Sequence, residues 1–266
     1  MTSSELATPP LDSPLDTARR LAEDGDLDGA AAILRGLVAE PDGPDRAQAA
    51  VGLAVVLEER GDVEAARAAA RTALATGHPE YAAQAACHLA QGFEREGRAE
   101  QARAAWQAVL GVGNPAYLAH AHLALARLAE SLEEADHELR AAMSAGDEQV
   151  AALAARELAD LLLEHGEPGP AADVLLEALE TAPEGEVPGL RVRLGIAHLE
   201  LACAEFAGTV EGGADARTSA LAIELLARTL PLRGRPEDAD QVWSYGLEHA
   251  DEALAAEVRL RYQREP

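Results

Sequence analysis

A turn signature that returns at a fixed interval constrains this chain more than any other feature. The segments GDLDGA, GDVEAA and GRAEQA begin at Gly25, Gly61 and Gly97, two successive steps of 36 residues, a period that belongs to arrays of helical hairpins. GEPGPA at Gly166 and GRPEDA at Gly234 continue the series with altered spacing. Five residues after these glycines stand Ala30, Ala66, Ala102, Ala171 and Ala239, and seven before them stand Ala18, Ala54, Ala90, Ala159 and Ala227. About a quarter of all letters are Ala, so one such column would be weak, but two complete columns are hard to reach by chance. Bulky positions keep the same register. Leu53, Leu89, Leu158 and Leu226 lie eight before the anchor, with Thr17 the exception, and Leu21, Leu57, Phe93, Leu162 and Leu230 lie four before it.

Each unit therefore reads as two amphipathic helices around a tight turn. The glycine ends the first helix where the backbone must take a positive φ, and the Asp, Glu or Pro that often follows starts the second. Small side chains let two helix backbones approach, so the paired alanines mark the crossing points and the Leu and Phe columns fill the space beside them. One such hairpin cannot bury its apolar face alone, and neighbours must stack.

The pattern carried by Leu53, Ala54, Leu57, Gly61, Asp62, Ala66, Ala70 and Ala73, and again by Leu89, Ala90, Phe93, Gly97, Ala102 and Trp106, resembles the tetratricopeptide repeat (TPR) family, in particular its actinobacterial-type arrays. The resemblance covers roughly residues 15–250 and is strongest over 15–125; the family's common aromatic and proline positions are mostly absent. It implies an all-α, right-handed α-solenoid of about seven TPR-like hairpins. Residues 1–14 are expected to be a disordered lead, 15–250 the array, and 251–266 a capping helix and tail. Two departures are visible. The unit around Leu125, Ala126, Ala135 and Ala142 lacks its turn glycine and about three residues, which predicts a tighter turn at ESLEEA. The unit with Leu194, Gly195 and Ala207 carries AGTVEGGADA, which predicts a glycine-broken second helix that is partly loop.

Charge narrows the choice of partners. All 22 cations are Arg, against 47 Asp and Glu, for a formal charge of −25, so the mean field repels phosphate backbones and anionic lipid. Neither nucleic acid nor membrane is expected as a partner. Residues 104–126 carry no formal charge, yet Gly111, Gly113, Asn114 and Pro115 interrupt them, which predicts two helices and a turn rather than a span. Two distant cysteines, Cys87 and Cys203, and an N-terminus without a basic or apolar signal region point to a reduced, cytoplasmic setting.

Chemical motifs are sparse. Cys87 and His88, with His120 and His122 one repeat later, come nearest to a metal set, but residues one or two apart on a helix do not share a face, and no metal or other cofactor is expected. No nucleophile elbow, phosphate loop or metalloprotease signature occurs, so the chain is expected to be non-catalytic.

In the family it resembles, first helices line a concave surface. Carried over by distance from the anchor, that surface holds Val51, Val55, Glu58 and Glu59 in one unit, Gln91, Glu94 and Arg95 in the next, and His120, Leu123, Arg127 and Glu130 in the third. Arg19, Glu23, Cys87, Arg156, Asp160 and Glu164 take the same place elsewhere. The Lys/Asn clamp of chaperone-binding members is absent, since no Lys exists and Asn114 lies in a turn. Acids recur at first-helix ends, among them Glu23, Glu58, Glu94, Glu130, Glu164 and Glu200, where the helix dipole opposes them, each at roughly 0.3–1 kcal/mol at low salt. A rim that tolerates this suits a basic, partly apolar protein segment. The expected function is a protein-interaction module or scaffold with an acidic-rimmed groove. The alternatives are a regulatory sensor for a peptide or small ligand, or an accessory subunit of a biosynthetic or secretion enzyme system.

Overall fold

The computed structural model describes residues 13–263, and the chain divides into two compact units, Met1–Val150 and Ala151–Pro266. Among the described residues all regular structure is helical. The first unit contains α1 (Pro14–Glu23), α2 (Leu27–Ala39), α3 (Arg46–Glu59), α4 (Val63–Ala75), α5 (Tyr81–Arg95), α6 (Ala99–Val112), α7 (Pro115–Arg127) and α8 (Leu132–Ser144). These pack as consecutive pairs, α1 on α2 through α7 on α8, each pair also resting on the next. α9 (Glu148–Glu164) begins in the last residues of the first unit and runs on into the second, where α10 (Pro168–Thr181), α11 (Val187–Glu211), α12 (Ala216–Thr229), a short 3-10 turn (Leu230–Arg233), α13 (Pro236–Leu247) and α14 (Glu252–Tyr262) follow.

The anchors behave as the chain's turn chemistry requires. Gly25, Gly61, Gly97, Gly166 and Gly234 all have φ between 69° and 83°, a region in which a Cβ would be strained. At each, the residue after the glycine donates its N–H to the carbonyl of the residue four before the glycine: Asp26 to Leu21, Asp62 to Leu57, Arg98 to Phe93, Glu167 to Leu162 and Arg235 to Leu230, at 2.8–3.1 Å. That closes the last helical turn and satisfies a carbonyl that would otherwise be orphaned. All ten column alanines are buried, none more than 4% exposed. Ala159→Leu adds three carbons at such a crossing, where Ala159 is 0% exposed, and is expected to destabilise the protein by about 1–3 kcal/mol through overpacking. An unshifted thermal melt would show that Ala159 is not a crossing point.

Where the glycine pattern fails, the structure departs from expectation. The connection between α7 and α8 is no tighter than the others: it spans residues 128–131, against three residues at Gly61 or Gly97, and the missing length comes out of the helices. Ser131 replaces the glycine device, its Oγ accepting the Glu134 N–H at 3.1 Å, while the Glu134 carboxylate accepts the Glu130 N–H at 2.9 Å. The expected glycine-broken helix over AGTVEGGADA, residues 207–216, is a correction in part, since only residues 212–215 lie outside helix. α11 runs 25 residues through Gly195 and Gly208 and stops only at Gly212 and Gly213, the latter at φ 69°. It packs on α10 and directly on α12, and this packing outweighs the weak helix preference of two glycines. Of the expected N-terminal lead, residues 1–12 lie outside the described residues; Ser13 caps α1, accepting the Asp16 N–H at 3.1 Å, and Pro14 is its first residue.

At the C-terminal end α14 packs on α12 and α13, burying Leu254, Ala255 and Val258. Gly246 of α13 makes this approach possible, since a Cβ there would stand 3.0 Å from both Val258 methyls and 3.1 Å from Ile223 Cδ1. Among the described residues no helix is long and apolar enough to cross a membrane; 104–126 is α6, a left-handed Gly113 and α7 capped by Asn114.

Candidate functional site

The expected surface residues separate into three recesses of the first unit. The largest, about 660 Å³, lies along α5, the start of α6 and α7, and gathers Gln91, Glu94, His120, Leu123 and Arg127 with Cys87, Trp106 and Tyr117. A second, about 290 Å³, places Val51 and Val55 beside Arg19, Gln48, Tyr81 and Gln84 on α1, α3 and α5. These two share one register: Val51, Cys87 and Leu123 are 36 residues apart in sequence, as are Val55, Gln91 and Arg127, Gln48, Gln84 and His120, and Tyr81 and Tyr117. Successive first helices therefore offer the same face, and α5 borders both recesses. Gln48, Gln84, Tyr81 and Tyr117 are site residues that the sequence reading omits, although the 36-residue steps from Gln48 to Gln84 and from Tyr81 to Tyr117 carry them.

Two of the expected apolar anchors form the floor rather than the lip. Val51 is 7% and Leu123 5% exposed, because the helix packing that builds the groove also covers its base; Val55, at 41%, remains open. The floor is chemically quiet. Burial pushes the Cys87 thiol up to about 11, and burial, then Cys87 and Glu80, raise the Tyr117 phenol, so neither ionises near neutrality. A protonated thiol and a neutral phenol bind by contact and hydrogen bonding.

Glu58 and Arg95 line a third recess of about 210 Å³ and hold one another, Arg95 Nη2 lying 2.6 Å from Glu58 while His88 Nε2 lies 2.8 Å from its other oxygen. Several acids of the expected rim have partners within the chain. Glu94 accepts the Trp106 Nε1–H at 2.9 Å, Glu96 meets Arg67 and Arg98, and Glu130 and Glu134 share Arg103. Glu59 and Glu130 line none of the three recesses. The same pairing between neighbouring units recurs at Arg60 with Asp28 (2.9 Å), Arg156 with Glu186 (3.0 Å) and Arg193 with Asp160 (2.9 Å). At the C-terminal ends of first helices, Glu58, Glu96 and Glu130 each meet an arginine about one repeat away, which offsets their unfavourable position on the helix dipole, whereas Asp28, Glu134 and Glu186 lie at helix N-termini, where the dipole already favours them.

The histidines are dispersed: His88 faces Glu58, His122 Nδ1 lies 2.7 Å from Glu138 on α8, and His120 lines the large groove. Among the described residues no three of His, Cys, Asp and Glu are grouped to hold a metal.

No protein-family model matches the chain, and no curated protein sequence matches it. Similar solved structures are helical repeat proteins. One is a tetratricopeptide repeat protein from Parabacteroides merdae, 15% identical, covering 94% of this chain and 97% of that one at a TM-score of 0.46. Another is a thermophilic TPR protein of Thermus thermophilus, 26% identical over 70% of this chain and 97% of that one, at 0.36. A third is the APC/C hetero-tetramer Cut9-Hcn1, 15% identical over 95% of this chain and 50% of that one, at 0.41.

Proposed function

We propose that the protein is a non-catalytic interaction module that seats a segment of another protein along the first helices α1, α3, α5 and α7. The observation that carries this reading is the repeated register of the two recesses. One side-chain pattern recurs at one-repeat intervals, so an extended segment meets similar environments as it passes from one hairpin to the next. The lining is mixed: an apolar floor of Val51, Leu123 and Trp106, amide and imidazole groups at Gln48, Gln84, Gln91 and His120, and the Tyr81 and Tyr117 rings. Aromatic and amide groups of this kind give contact area with orientation, as partner-binding surfaces require.

A basic segment is favoured at long range rather than by local pairing. The formal charge of −25 draws cations from a distance, whereas Glu58 and Glu130 at close range are already paired with arginine. Association should therefore slow with salt while the bound contacts change little.

The test is affinity purification from the native host, followed by binding of the recovered partner to variants. Val55→Arg with Gln91→Arg alters two exposed lane positions and is expected to weaken binding by about tenfold or more. Glu59→Arg, off the lane, is expected to leave equilibrium affinity nearly unchanged. Equal affinity for the double variant and the wild type would move the interaction off this surface.

A further inference from the structure

A cleft of about 750 Å³ opens in the second unit, within the range of ligand pockets and independent of the interaction surface described above. Its origin is architectural. The Gly234 hairpin takes α12 and α13 as its two helices, so α11 has none of its own to follow it, and the space beside its C-terminal half stays open. One face of α11 forms a wall of small groups at Cys203, Ala204 and Ala207; Ile223, Leu226 and Leu230 of α12 and the turn after it form a second wall, and Val242 and Tyr245 of α13 a third.

Charge is distributed unevenly along this cleft. Toward the Gly234 turn, Arg233 pairs with Glu200 and Arg235 with Asp238, so both signs are satisfied. At the other end α11 terminates in Glu211, which makes no ion pair with a described residue. Residues 212–215 connect Glu211 to the start of α12, and α13, returning along α12, brings Tyr245 toward that same end. A cation there would meet a carboxylate with no described ion partner and the negative end of a 25-residue helix, at the end of the cleft toward which the half-exposed Tyr245 ring lies, in a protein whose mean field attracts it.

We infer that the cleft formed by α11, α12 and α13 is a binding site for a hydrophobic amine, with the apolar body against Ala204, Ala207 and Leu226 and the protonated nitrogen at Glu211. An anionic ligand held by Arg233 and Arg235 is the competing occupant, and the probes separate the two.

The full chain is titrated with 4-phenylbutylamine, 4-phenylbutanol and 4-phenylbutyrate, with binding followed by calorimetry and by tryptophan fluorescence. Saturable binding of the amine is expected, about tenfold tighter than the alcohol and tighter still than the carboxylate. Glu211→Gln, an exposed change, should remove that preference and leave alcohol binding as it was. Ala204→Trp fills the cleft from an exposed position and should abolish binding of all three probes with the circular dichroism unchanged. No saturable amine binding, equal affinities, a preference for the carboxylate, or insensitivity to Glu211→Gln would each overturn the proposal; so would amine binding that survives Ala204→Trp.

Discussion

Phe93→Ala is expected to destabilise the first unit by about 3–5 kcal/mol, among the largest effects available to a single substitution in this chain. Phe93 is 7% exposed and fills the last turn of α5. Two guanidinium groups lie over its ring, Arg67 Cζ 4.8 Å and Arg98 Cζ 4.9 Å from the centroid. Arg67 is itself buried and tied to Glu64 at 2.7 Å and to Glu96, whose carboxyl is held below the usual carboxylate range chiefly by the hydrogen bond from Arg67. Removing the ring opens a cavity and takes the stacking surface from both arginines at once. Phe93→Leu keeps most of the apolar volume and loses only the stacking, so it should cost less than about 1.5 kcal/mol. Denaturation followed by Trp106 fluorescence in a Trp243→Phe background isolates the first unit. Equal losses for Ala and Leu would place the energy in the cation–ring contacts rather than in packing.

Gly246→Leu should release α14. A Cβ at this position already meets Val258 and Ile223 at 3.0–3.1 Å, and both of those residues are 0% exposed, so a larger side chain has no unoccupied rotamer. The expected loss is about 1–3 kcal/mol, with α14 separating from α13 rather than the whole unit unfolding. Hydrogen exchange should speed up in Glu252–Tyr262, and the edge-on contact of Trp243 with Tyr262, 5.2 Å between centroids, should be lost. Gly246→Ala is the control: about 0.8–1 kcal/mol gained in helix preference opposes the tighter contact, and the two nearly cancel. Full protection of α14 in the Leu variant would show that its neighbours can yield.

These two effects differ in how far the sequence reveals them. Phe93 belongs to a column four residues before a turn glycine, so its packing role could be read directly, whereas its two guanidinium partners could not. Gly246 stands outside every column and resembles an ordinary interior glycine until α14 is placed against it. The surface divides in the same way. Gln91, His120 and Arg127 follow from register and do share a groove, but Val51 and Leu123 sink into its floor and Glu58 is taken by Arg95 and His88.

The sequence alone determined the hairpins, because the requirements of a helix crossing and a glycine turn are local: an alanine at contact, a residue that accepts positive φ, and a bulky neighbour within one or two helical turns. Those requirements recur with the chain's own period, so they can be read without knowing what lies opposite. Tertiary structure decided whatever depends on distance through space. It selected Gly212 and Gly213 over Gly195 and Gly208 as the end of α11, because packing on α10 and α12 holds the earlier glycines in helix. It also assigned each arginine its carboxylate, since in a chain with 47 acids any of several is near in sequence and only the stacking of helices brings one within hydrogen-bond range.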